Sequence, residues 1–198
     1  MNDSEQAETV ELAIEAGADA FGMIFAPSPR RIMPEAAAEI ARRIPPTIEP
    51  VAVFVNPSHP DVESVRKQFD NLRVQFSGEE TPDFVARYGE RAIKAIHVDA
   101  HGTLIAQRAA RFPDATLLFD SRQDGMAGGT GTAFEWEHVV PIARARRVVV
   151  AGGLTPENVA ACVRAVRPWG VDTRNGIETG DRKDLVKMRA FVRAVREL

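Results

Sequence analysis

Asp120 closes the apolar run Thr116-Leu117-Leu118-Phe119, and a polar loop then leads to Gly128-Gly129-Thr130-Gly131 and the aromatic residues Phe134 and Trp136. A carboxyl group at the end of an apolar strand suits proton transfer, because apolar neighbours raise its pKa and let it act as an acid near neutral pH. The bland alternative is a cap or a surface charge. A glycine-rich turn ahead of a helix offers freed backbone N–H groups to an anion. Two further turns of this kind follow, Gly152-Gly153 and Asn175-Gly176. Three glycine loops on strand ends favour a phosphate over mere tight turns. Arg30 lies just past the apolar run Ala20–Phe25. Its guanidinium fork can hold a carboxylate through two hydrogen bonds, the alternative being a solvated loop charge.

Other reactive side chains read as structural. His97, Asp99 and His101 have the residue types of metal ligands. That run passes from strand into loop, so its side chains need not converge, and no metal is assigned. Cys162, the one cysteine, falls mid-helix and reads as core packing rather than as a nucleophile or base. Phe134 and Trp136 read as core, and Asp3 as a helix cap.

The elements that position these residues alternate. A helix opens the chain, with Asn2-Asp3-Ser4 and Gln6 as its cap and Gly17 as its stop. Apolar runs at 20–25, 50–55, 73–76, 92–98, 116–120, 147–151 and 170–172 predict strands, the first buried on both faces. Amphipathic stretches at 34–44, 60–69, 81–88, about 103–111, from 134 onward, 155–166 and 184–195 predict helices. Short βα units in succession predict a parallel sheet in an α/β fold. Eight helices against seven strands predict a (β/α)8 TIM barrel in a single domain, residues 1–198, that starts on a helix and lacks strand 1. Barrel active sites lie at the C-terminal ends of the strands, where Arg30, Asp120 and the glycine loops fall.

Composition narrows the function classes. A net charge of −3 with both signs mixed offers no basic surface for nucleic acid. No apolar run is long enough to span a membrane. The acidic, polar N-terminus is not a signal peptide, and a single cysteine suits a reducing cytoplasm.

With these residues in place the sequence resembles the phosphoribosylanthranilate isomerase family of tryptophan biosynthesis. The matching segments are Glu15–Gly22, Ser28-Pro29-Arg30, Val53–Asn56, Gln75–Gly78, Ile93–Ile96, Leu118–Asp120, Gly128–Gly131 with Phe134 and Trp136, Ala151–Leu154 with Pro156–Val159, and Gly170–Asp172 with Gly176-Ile177-Glu178. They span nearly the whole chain in the family's order. The resemblance implies an aldose–ketose isomerase that carries out the Amadori rearrangement of N-(5-phosphoribosyl)anthranilate without metal or cofactor, as a monomer or homodimer. It makes Asp120 the acid that protonates the furanose oxygen, and sets Arg30 against the anthranilate carboxylate. It gives the phosphate to Gly128, Gly129, Gly152, Gly153, Asn175 and Gly176. The family's base is a cysteine on its first strand, in a Lys-Ile-Cys-Gly-Ile-Thr run, and Met1 falls about where that run ends. Two expectations follow: a chain whose start lies upstream, or an impaired relative that binds a sugar phosphate without turnover. Ser77, for the family's histidine, and Arg174, before Asn175, are further departures. A related barrel enzyme, such as a ribulose-phosphate-type isomerase, would want lysine or carboxylate constellations that the strand ends do not show.

Overall fold

The apolar runs become parallel strands and the amphipathic stretches become helices in a computed structural model that describes residues 3–99, 102–120 and 135–198. Seven strands form one sheet in chain order, β1 to β7, and every pairing that is described is parallel. With eight α-helices among the described residues, this is the (β/α)8-barrel class with seven strands. Two compact units divide it, Met1–Ile93 and Lys94–Leu198.

The first unit runs α1 (Asp3–Ala16), β1 (Ala20–Ile24), α2 (Pro34–Arg43), β2 (Glu49–Phe54), α3 (His59–Arg66), β3 (Arg73–Phe76) and α4 (Pro82–Ala86). Gly17 ends α1 at φ 79°, and the Ala18 N–H reaches back to the Ala13 carbonyl at 3.0 Å, a left-handed C-cap. The side chains proposed to cap its other end lie outside the described residues. A full capping box starts α3, Ser58 and Asp61 exchanging side-chain and backbone bonds. Phe25, Phe54 and Phe76 occupy one row across β1 to β3, with Phe25 stacked on Phe54 at 5.4 Å. Phe76 is fully buried and meets Phe84 edge-on at 5.5 Å. β1 departs from expectation: Met23 is buried, but Ala20 and Gly22 are exposed. The reason is position, since β1 ends the strand order and its described ladder is to β2 alone.

The second unit holds β4 (Ala92–His97, shared at its start with the first), α5 (Ile105–Ala110), β5 (Thr116–Asp120), α6 (Val140–Ala145), β6 (Val148–Ala151), α7 (Val159–Val166), β7 (Gly170–Val171) and α8 (Leu185–Arg196). A small antiparallel hairpin, β8 (Glu178–Thr179) with β9 (Arg182–Lys183), precedes α8. Leu117, Phe119, Val148 and Val150 are fully buried. Two helix starts differ from the sequence reading. A 3-10 turn, Trp136–His138, precedes α6, so the α-helix begins at Val140; Phe134 lies outside the described residues. Thr155-Pro156 begins a turn rather than α7 itself: Asn158 Oδ1 accepts from the Thr155 N–H at 2.8 Å, and regular helix starts at Val159. Arg146 links α6 to the α5–β5 connection by donating to the carbonyls of Phe112 (2.6 Å) and Ala115.

Candidate active site

In the second unit the ladder bonds fix which side chains share a face. Val98 N–H donates to the Asp120 carbonyl at 3.0 Å. A parallel ladder bonds each N–H to the residue before its lateral partner, so His97 stands beside Asp120. Leu117 shows the same offset, bonding Arg147 while paired with Val148. Asp120 is paired with Ala151, and the Asp172 N–H bond to the Val150 carbonyl at 2.9 Å sets Asp172 beside Ala151. His97, Asp120, Ala151 and Asp172 therefore form one row at the C-terminal ends of β4 to β7, on one face of the sheet. Adjacent members stand about 4.8 Å apart along the row.

Of this row, Asp120 alone was a site residue on sequence grounds, and Asp172 is the second carboxyl group the register adds. Solvent reaches its carboxylate, but protein surrounds it; loss of hydration and then the nearby Asp120 carboxylate push its pKa up, while Lys183 and Arg174 pull it down. The part-buried His97 has a buried Nδ1 with no hydrogen-bond partner among the described residues. Cys162 packs fully buried inside α7, and burial pushes its thiol up to about 12. It is a core residue, as its place in the helix predicted. No group of three His, Cys, Asp or Glu side chains among the described residues is arranged to hold a metal.

Two of the three glycine loops are described, and they meet. Gly152 and Gly153 lie at φ 82° and 66°, a backbone that glycine adopts without strain. Gly176 packs so tightly on the loop after β6 that a Cβ would overlap the Leu154 carbonyl oxygen and sit 2.9 Å from Thr173 Oγ1. Thr173 Oγ1 donates to that same carbonyl at 2.6 Å. The Gly152-Gly153 and Asn175-Gly176 loops are thus pinned together beyond β6 and β7. Arg174 is exposed and donates to Asn175 Oδ1 at 3.0 Å, which keeps a positive charge beside this corner. Behind it Lys183 pairs with the nearly buried Glu178 carboxylate at 2.9 Å. Gly128 and Gly129, the third loop, lie outside the described residues.

In the first unit Arg30 is half-buried on the loop after β1, where its N–H donates to Ser28 Oγ at 3.1 Å. Glu80 organises the neighbouring loops and gave no sequence signal. Its buried carboxylate accepts the Asn56 N–H at 2.9 Å and the Gly78 N–H at 3.1 Å. Asn56 holds a left-handed backbone at φ 48° and accepts the Glu79 N–H at 2.7 Å on Oδ1. Ser77, one of the departures, accepts from Gln75 Nε2 at 3.1 Å.

A parallel βα barrel with two carboxyl groups in one row and two glycine loops joined at its strand ends belongs to the class of (β/α)8-barrel enzymes. Residues 1–194 match the family of N-(5'-phosphoribosyl)anthranilate (PRA) isomerase. The chain belongs to that family. A Desulforudis audaxviator relative named N-(5'-phosphoribosyl)anthranilate isomerase is 40% identical over 190 residues, covering 96% of this chain and 93% of its own. One from Nitrosococcus oceani is 42% identical over 186 residues, covering 92% and 89%. Among solved structures, phosphoribosyl anthranilate isomerase from Thermotoga maritima superposes with a TM-score of 0.86 at 32% identity, over 97% of this chain and 95% of that one. A phosphoribosyl anthranilate isomerase in complex with reduced 1-(o-carboxyphenylamino)-1-deoxyribulose 5-phosphate superposes at 0.83 and 31% identity, over 98% and 95%.

Proposed function

We propose that this chain isomerises N-(5'-phosphoribosyl)anthranilate to 1-(o-carboxyphenylamino)-1-deoxyribulose 5-phosphate, with Asp120 as the acid. The observation that carries this is Asp120 at the end of β5, in one row with Asp172 and in the same unit as the pinned glycine corner. Asp120 gives its proton to the furanose oxygen as the C1–O bond breaks and the nitrogen lone pair forms C=N. Loss of the C2 proton to solvent water then yields the enolamine, which tautomerises to the ketone. Gly152, Gly153, Asn175 and Gly176 hold the phosphate, joined by Gly128 and Gly129. Arg30 takes the anthranilate carboxylate. The work is done in the cytoplasm; among the described residues, no helix is long and apolar enough to cross a membrane. Monomers generated from the dimeric phosphoribosylanthranilate isomerase of Thermotoga maritima are among the solved relatives, which supports a monomer or homodimer here.

The buried Cys162 favours a second reading, binding of the sugar phosphate without turnover, because this thiol is no base near neutral pH. Steady-state assay of the 198-residue chain separates the two. Turnover that falls by ~10²–10⁴ in Asp120→Asn carries the isomerase reading. Tight binding of the reduced product analogue with no turnover carries the second. Turnover untouched by Asp120→Asn would remove Asp120 from the chemistry.

A further inference from the structure

We propose that His97 is the proton partner of Asp120, returning to its carboxylate the proton spent in ring opening. The proposal rests on the isomerase reading above. Its basis is register: the Val98-to-Asp120 bond sets His97 directly beside Asp120 on the neighbouring strand, with both side chains on one face. One strand spacing, about 4.8 Å between backbones, brings an imidazole and a carboxylate within reach of one hydrogen bond or one bridging water. His97 Nδ1 is buried and unpartnered among the described residues, so the ring holds a polar atom that its own strand does not use. Arg108 fixes this strand end by donating to the His97 carbonyl at 3.1 Å.

The proton count closes. Ring opening transfers the Asp120 O–H proton to the furanose oxygen and leaves a carboxylate. The imidazolium then passes a ring proton to that carboxylate through a bridging water, and the neutral ring recovers a proton from solvent. The substrate gains and loses protons in equal number, so no oxidant or reductant is required. Imidazole is suited to this step because it titrates close to neutrality and exchanges quickly with solvent. The charged groups about it are Asp120 on β5, Asp99 two residues on, Arg108 on α5 and, further along the row, Asp172.

Two measurements test the pairing. The first is kinetic, on the 198-residue chain with His97→Ala and His97→Asn. Expected are a fall in kcat of ~10–100-fold with KM within about twofold, loss of one limb of the pH–kcat profile, and concentration-dependent rescue of His97→Ala by added imidazole. Asp120→Asn should show no such rescue. Wild-type kcat and pH profile in both His97 variants would overturn the proposal. So would a loss that imidazole never restores while the pH profile keeps its shape, since that describes a packing role. The second is NMR of the His97 ring nitrogens. Asp120→Asn and Asp120→Ala should each change the ring ¹⁵N shifts, because the hydrogen-bonding neighbour on the adjacent strand is altered. Unmoved shifts in both variants overturn the pairing even if the chain proves a non-catalytic binder, whereas absent turnover with moved shifts counts against the isomerase reading alone.

Discussion

Gly176→Ala is the perturbation whose cost follows most directly from the structure. The added Cβ overlaps the Leu154 carbonyl oxygen and sits 3.0 Å from its carbon and 2.9 Å from Thr173 Oγ1, where ordinary contact begins at 3.4 Å. Two of these three atoms belong to backbone, so no side chain can rotate away. The loop after β7 must move off the loop after β6, and the 2.6 Å Thr173–Leu154 bond is lost with it. Overpacking of this kind costs about 1–3 kcal/mol and the hydrogen bond about 1 more. The sum, roughly 2–4 kcal/mol, lowers Tm by about 5–15 °C in a chain of this length. If the two loops share a phosphate, loss of even one charge-assisted N–H contact, about 1.5–3 kcal/mol, raises KM or the inhibition constant of inorganic phosphate at least tenfold. Gly153→Ala is the control. It has the left-handed φ of 66° but open space around the new methyl, so only the backbone penalty of about 1–2 kcal/mol applies. Thermal melts and steady-state kinetics on both variants decide. Equal destabilisation by the two would refute the contact argument, and an unchanged KM in Gly176→Ala would refute the shared anion corner.

Two further outcomes are expected. Cys162 should react with a disulfide probe over hours at pH 8 in the folded protein and within seconds after unfolding, because burial holds its thiol near 12; Cys162→Ala should keep kcat within about twofold, and rapid labelling of the native chain would contradict this. Asp172→Asn should stabilise the protein above neutral pH. The folded pKa of Asp172 lies above its ordinary 3.8, so its contribution is fully present below that value and is lost as pH rises through the folded pKa. The gain in Tm should therefore grow with pH and vanish in acid, staying under about 4 °C because solvent screens the carboxylate. A variant melting below wild type at pH 8 would show the sign to be wrong.

The strands were the most legible part of this chain. Arg73–Phe76 and Thr116–Asp120 occur with the bounds read from sequence, since short apolar runs between turn residues leave little choice. Helix starts were harder. Thr155-Pro156 has the composition of an N-terminus, yet the Asn158 side chain first folds that stretch into a turn, an arrangement that residue types alone do not encode. Exposure of Ala20 and Gly22 was hidden for another reason: an apolar strand at the end of a sheet reads like one in its middle. The site divided in the same way. Asp120 and the glycine loops announce themselves by local chemistry. His97 beside Asp120, with Asp172 beyond, depends on inter-strand register, which is set by hydrogen-bond ladders between segments far apart in sequence. Glu80 was missed because the partners described for its carboxylate are two backbone N–H groups, which carry no sequence signature.

Ala151 has a role out of proportion to its size. It stands between Asp120 and Asp172, so their backbones are two strand spacings apart, about 10 Å along the row. Across that gap the Asp120 carboxylate still pushes the pKa of Asp172 up. One methyl group is all that stands between the two strand-end carboxyl groups along the row.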